Sequence, residues 1–209
     1  MRATTSGCGC ASFKFDIPLA GVKRLIRIVA ITGMPGAGKS TAARALVKDG
    51  WARVVMGDVI RAETKKRGLE PNAKNTGEVM KHLRKEGGDS AVADLCLEMI
   101  EELGTSRAVI DGIRSMAEVE AFRKKAAVLL VAILASPARR YELLKERGRS
   151  DDPLTYDMFA ARDRRELDVG IGEPIALADA TVSNQSNTPD KLAEETARIV
   201  SRWETDVTA

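Results

Sequence analysis

Three observations predict an α/β fold in which a five-stranded parallel sheet carries helices on both faces. Apolar runs of strand length alternate along the chain with amphipathic stretches of helix length, the order that successive βα units require. The runs are apolar without alternation, as in VLLVAILA at 128–135. That pattern fits strands buried on both faces rather than a sheet with one wet side. Finally, the first run leads through a glycine-rich turn directly into a helical pattern, as at the crevice end of an open α/β sheet.

The strands are expected at Leu25–Thr32, Arg53–Met56, Ala108–Asp111, Val128–Ala135 and Ala180–Ser183. Helical patterns fall between them at Lys39–Lys48, Val59–Arg67, Thr76–Glu86, Ser90–Leu103, Met116–Lys124, Ala138–Arg147, Leu154–Glu166 and Pro189–Trp203. Two places break the simple alternation. About fifty residues with several helical patterns separate the second and third strands, too many for one crossover. A polar stretch, Glu146 to Glu166, follows the fourth strand. Insertions there, at about 57–104 and 146–166, are expected to close over a substrate.

The 209 residues suit one domain with a sizeable core. A composition of 44% hydrophobic and 30% charged residues is that of an ordinary globular protein. The net charge of +3 is not massed in one tail, so nucleic-acid binding is not indicated. The longest apolar run, Ala126 to Ala135, falls short of the ~20 residues that cross a bilayer. Cys8, Cys10 and Cys96 are odd in number, and His82 is the only histidine. Neither a disulfide framework nor a zinc site follows, and a reducing cytoplasm is the expectation. Residues 1–22 precede any periodic pattern and lack a signal peptide's apolar segment. They are read as a poorly ordered extension, with the folded domain over 23–209.

The stretch Gly33-Met34-Pro35-Gly36-Ala37-Gly38-Lys39-Ser40-Thr41 carries the clearest chemistry. Its G-x4-GKS spacing, between a strand and a helix, is that of a Walker A loop. Backbone N–H groups of such a loop cradle phosphates at a helix N-terminus. Lys39 is expected to reach the β- and γ-phosphates of a bound nucleotide, and Ser40 to offer its hydroxyl to Mg²⁺. The fold class is therefore that of the P-loop NTPases.

Three further stretches narrow the chemistry. In MGDVIR, Asp58 either N-caps the next helix or stands as a carboxylate for an acceptor hydroxyl; the residues leave both open. Arg61 follows one turn later, where an acceptor would sit. In VIDGIR, Asp111 ends a buried strand beside the loop, placed to hold Mg²⁺ through water, and Arg114 is suited to a bidentate grip on phosphate. In KERGRSDD and RDRRE, charge runs would ordinarily be solvated faces. Phosphoryl transfer nevertheless needs cations that arrive with closure, and Arg147 or Arg149, together with Arg162, are the candidates. Arg164 and Arg165 are not favoured either way, and His82 is read as a solvent-facing helix residue.

These motifs carry a family resemblance. GDVIR resembles the GDxxR acceptor-site stretch of adenylate kinases, and VIDGIR their DGxxR segment with one residue fewer. The order of elements is at least as similar to dephospho-CoA kinases: an Asp after the second strand, an Arg-bearing lid, then ALADATVSN before the last helix. GMPGAGKS, VMGDVIR, VIDGIRS, RGRSDDP, RDRREL and GIGEPIALAD together resemble the archaeal adenylate-kinase-related, dephospho-CoA-kinase-like proteins, over about Leu25 to Val200. The resemblance implies ATP as donor, Mg²⁺ as its ion, and a nucleoside monophosphate or dephospho-CoA as acceptor. It also implies that Asn184, ending the segment after the fifth strand, lies near the ATP adenine. The missing residue in DGIR leaves open whether Arg114 takes the adenylate-kinase arginine's place, and Gly57 leaves Asp58 as the one carboxylate there.

A GTPase switch would show an Asn/Thr-Lys-x-Asp string, which does not occur. The alternative class is an adenylate-kinase-like ATPase acting in RNA or ribosome assembly. Oligomeric state is not legible.

Overall fold

The computed structural model describes residues 25–148 and 152–208. Five strands, β1 (Arg27–Thr32), β2 (Ala52–Val55), β3 (Arg107–Asp111), β4 (Ala127–Leu134) and β5 (Ala180–Ser183), form one sheet in the order β2-β3-β1-β4-β5. Every pairing is parallel. β1 lies at the centre with Ile31 level with Asp111 of β3 and Val131 of β4. The chain therefore leaves β1 where the strand order reverses, the usual crevice of open α/β sheets.

The lack of alternation in the strands has a direct physical cause. Ile28 and Ala30 of β1 enter one apolar core with Ile110 and Leu130, while Val29 and Ile31 enter the other with Val109 and Val131. Side chains that point in opposite directions from one strand are thus all buried.

Helices cover both faces. α1 (Lys39–Lys48) packs against α9 (Pro189–Thr208) on the side of Val29. On the other side lie α2 (Met56–Lys66), α4 (Ala91–Glu102) and α5 (Met116–Arg123), with α3 (Ala73–Gly87) packed on α2 and α4. α6 (Pro137–Arg147), α7 (Tyr156–Val169) and the short α8 (Gly172–Ala176) complete the chain between β4 and β5. At the amino ends of the strands, Glu204 of α9 accepts from Arg27 and Arg107 at 3.1 and 2.7 Å. The Arg107 guanidinium lies 4.7 Å from the Trp51 ring centre. No helix among the described residues is long and apolar enough to cross a membrane.

Several boundaries depart from expectation. α2 begins at Met56, with Val55 in the capping position and no side-chain cap. Asp58 therefore sits inside the first turn and is not the N-cap. There a carboxylate gains from the helix dipole without capping. α3 begins at Ala73 because the Asn72 side chain accepts from Asn75 N at 2.9 Å. α7 starts at Tyr156, capped by Thr155, and ends at Val169, followed by Gly170 as its C-cap with a φ of 105° that favours glycine. α9 continues past Trp203 to Thr208, and α8 had no expected counterpart. The expected extension at 1–22 lies outside the described residues, as does Arg149.

Candidate active site

The loop between β1 and α1 is tightly packed from below. At Gly38, φ is 108° and a Cβ would stand 2.6 Å from Asn184 Nδ2; at Gly36 one would stand 2.7 Å from the Arg140 carbonyl. Side chains are thus excluded where the backbone must curl. Gly33 and Met34 present carbonyls inward, and Lys39 Nζ donates to them at 2.6 and 3.1 Å. Burial pulls the Lys39 ammonium down to about 8, while Asp111 opposes that shift and Arg114 adds to it. Ala37 is buried, and its carbonyl accepts from Asn184 Nδ2 at 2.9 Å.

Beside the loop, Ser40 Oγ donates to Asp111 Oδ2 at 3.0 Å, and Arg53 of β2 donates to the same oxygen. After β3, the N–H groups of Gly112 and Ile113 both donate to Ile31 O at 3.2 Å, and the buried Thr32 hydroxyl donates to Ile113 O at 3.1 Å. These bonds fix the turn that presents Arg114. The next residues form a capping box: Glu118 accepts from Arg114 N at 2.8 Å and Ser115 N at 3.2 Å, and Ser115 Oγ accepts from Glu118 N. Burial raises the Glu118 carboxyl above the usual carboxylate range, and those two N–H groups oppose the rise.

A third side of the site is built from α6 and α7 together with the turn that carries Arg114. Arg114 Nε donates to Glu166 Oε2 of α7 at 3.0 Å. Arg147, the last residue of α6, grips Asp152 with two donors, one of them at 2.9 Å. Arg162 Nη1 stands 3.8 Å from the same carboxylate.

These groups surround a cleft of about 530 Å³. The loop contributes Pro35, Gly36, Gly38, Lys39, Ser40 and Thr41 to its lining. Asn184, Asn187, Pro189 and Leu192 add amides and apolar groups. Arg114, from the turn between β3 and α5, Arg147 of α6 and Arg162 of α7 add three cations. Asp58 and Arg61 are not among its lining residues. They pair with each other on the exposed face of α2, through Arg61 Nε at 3.1 Å and a second donor. Arg164 and Arg165 are exposed, and neither lines the cleft.

Residues not singled out from the sequence also belong to the site. Glu166 and Asp152 are the carboxylates that hold its arginines. Arg44 and Arg139 line the cleft. Arg53 stands outside the cleft lining, behind Asp111, and was legible only as an arginine inside a short apolar strand.

A divalent ion would find two convergent oxygen donors, Ser40 Oγ and Asp111 Oδ2. Among the described residues no group of three or more His, Cys, Asp or Glu could hold a metal by itself. That donor set fits Mg²⁺, which is held by one or two protein oxygens together with substrate phosphates and water.

Comparison with known proteins agrees with this architecture. A family described as "AAA domain" matches residues 32–156. Among solved structures, TT1252 from Thermus thermophilus superposes with a TM-score of 0.60 at 18% identity, covering 85% of this chain and 98% of that one. A shikimate kinase from Acinetobacter baumannii gives 0.51 at 15% identity, covering 85% and 94%. At such identities the likeness concerns the fold, which is P-loop kinase-like. Sequence relatives are nearer. The UPF0200 protein of Methanocaldococcus jannaschii is 47% identical over 167 residues, spanning 79% of this chain and 85% of the relative. That of Methanosarcina mazei is 44% identical over 162 residues, spanning 77% and 87%. The chain therefore belongs to the UPF0200 family.

Proposed function

We propose that this protein is an ATP-dependent phosphotransferase that moves the γ-phosphoryl of MgATP to a nucleotide or nucleotide-like acceptor, a nucleoside monophosphate or dephospho-CoA. The observation that carries the reading is that Lys39, Arg114, Arg147 and Arg162 line one and the same phosphate-loop cleft. A protein that only binds nucleotide has no need of three arginines from separate parts of the chain beyond its phosphate loop. Phosphoryl transfer does, because its catalysis is mostly positioning and charge neutralisation.

In this reading the loop amides and Lys39 hold the β- and γ-phosphates, and the adenine lies toward Asn184 and Asn187. Ser40 and Asp111 would hold Mg²⁺, which would supply charge neutralisation for the phosphates. Arg114 orients the acceptor. Arg147, Arg162 and Arg149 neutralise the transferring group as the lid closes. An acceptor oxygen bonds to the γ-phosphorus while the bond to the β–γ bridging oxygen breaks, and ADP leaves with that electron pair; a phosphate acceptor attacks through an ionised oxygen, and a hydroxyl acceptor gives its proton to the Asp58 carboxylate. Arg61 and Asp58 reach an acceptor only if the α2–α4 insertion moves toward the loop, as acceptor-binding segments do on closure.

The test is ADP formation from MgATP with AMP, CMP, UMP, GMP and dephospho-CoA, each with wild type and Lys39→Ala. At least one acceptor is expected to raise turnover well above the rate with ATP alone, and the variant to abolish it. Turnover indifferent to all five but stimulated by RNA or a protein partner would replace this reading with the assembly ATPase.

A further inference from the structure

Asp111 is claimed twice. Its Oδ2 accepts from the Ser40 hydroxyl at 3.0 Å and from Arg53 Nη2 at 2.5 Å. The carboxylate is buried, with 4% of its surface exposed. A buried carboxylate needs a counter-charge, since an unpaired one pays desolvation without return. Arg53 supplies it across the sheet: its Cα pairs with Val109, two residues before Asp111 on β3.

The arginine is poorly settled in other respects. Its Nε is buried and has no hydrogen-bond partner among the described residues, a shortfall that costs free energy. Its strand is short and otherwise apolar. Asp111 is the one ion-pair partner that the described residues give it.

We propose that Arg53 is a displaceable counter-ion of Asp111 that sets how readily the phosphate loop accepts Mg²⁺. The inference rests on the reading of Ser40 and Asp111 as the magnesium-holding pair. A guanidinium bonded to Asp111 Oδ2 and a divalent ion approaching that carboxylate, directly or through one water, are both positive and repel each other. Arg53 therefore keeps Asp111 neutralised and aimed at Ser40 when no ion is present, and withdraws when MgATP or MgADP enters. It is a positioning residue: it acts through Asp111 and touches no reacting atom.

The experiment is isothermal titration of ADP into the full-length protein over a series of Mg²⁺ concentrations, for wild type, Arg53→Met and Arg53→Lys. Arg53→Met is expected to lower the half-saturating Mg²⁺ about tenfold, the size expected for one charge-assisted bond at a partly exposed site. Its binding of ADP without Mg²⁺ should stay within about twofold, because Arg53 is not among the residues lining the cleft. Arg53→Lys keeps a cation and should remain near wild type. In an Asp111→Asn background, Arg53→Met should no longer shift the Mg²⁺ dependence. An unchanged or raised half-saturating Mg²⁺ in Arg53→Met, with a native thermal transition, would overturn the proposal. Absence of any Mg²⁺-dependent ADP binding by wild type would overturn the magnesium reading as well, so the two failures are distinguishable.

Discussion

Arg140 of α6 and Asp163 of α7 form a bidentate ion pair, at 2.7 and 2.6 Å, behind the phosphate loop. The same guanidinium donates to Pro35 O and Ala135 O, both at 3.2 Å, and lies 4.9 Å from the centre of the Phe159 ring. One buried cation thus ties the phosphate loop, the end of β4 and α7 together. Arg162 and Glu166, which line the cleft, stand on the helix that Asp163 anchors.

Removing one partner should be costly. Asp163→Ala strands a guanidinium that is 3% exposed, and the expected loss is about 3 kcal/mol of unfolding free energy. The double variant Arg140→Met, Asp163→Leu should recover a large part of it, because no unpaired charge remains. Urea unfolding followed by circular dichroism measures both. A loss below about 0.5 kcal/mol in Asp163→Ala would place the pair among weak surface bridges.

Lys39 predicts a pH dependence. Its folded value of about 8 lies below the ordinary 10.5, so between those pH values the unfolded chain binds more protons than the folded one. Its contribution to stability therefore rises with pH across that window. A bound phosphate favours the charged form and raises the value again. ADP binding at pH 8 should take up a fraction of a proton, and affinity should fall from pH 7 to 9. Calorimetry in buffers of different ionisation enthalpy reads the uptake; none in wild type would contradict the assignment.

Glu118 separates hydrogen bonding from charge. Burial disfavours its ionised form, and its Oε2 accepts from Arg114 N and Ser115 N. Glu118→Gln keeps an acceptor and loses the buried charge, so it should change stability by less than about 1 kcal/mol. Glu118→Ala leaves both N–H groups unmet and should cost about 1–3 kcal/mol. Equal losses in the two variants would show that charge is the stabilising element.

Cys96 should be chemically silent. It is fully buried in α4, and burial, with Glu118 adding to the effect, pushes its thiol up to about 12. With Cys8 and Cys10 changed to Ser, alkylation by iodoacetamide at pH 8 should be at least roughly 100-fold slower in the native protein than in denaturant. Comparable rates would mean that α4 opens easily.

The sheet and its central loop were legible because both are written in local pattern. Two-sided burial makes β1 and β4 uninterrupted apolar runs, and a strand, a glycine turn and a helix follow one another directly at Lys39. The ion pairs were not legible. Arg139 and Arg140 are adjacent and alike in sequence, yet one lines the cleft and the other is buried against Asp163. Arg114 and Glu166 meet across 52 residues, and Arg140 and Pro35 across 105, separations that no local periodicity encodes. Asp58 misled for a related reason. α2 starts on an apolar residue without a side-chain cap, so the nearest polar residue looked like the helix start.

Passage of the γ-phosphoryl to a small molecule is followed most directly by ³¹P NMR of a reaction with MgATP and the five acceptors. The predicted result is a new phosphoryl resonance on one acceptor, growing as the γ-resonance of ATP disappears and absent with Lys39→Ala. Accumulation of inorganic phosphate alone, with every acceptor unchanged, would contradict it.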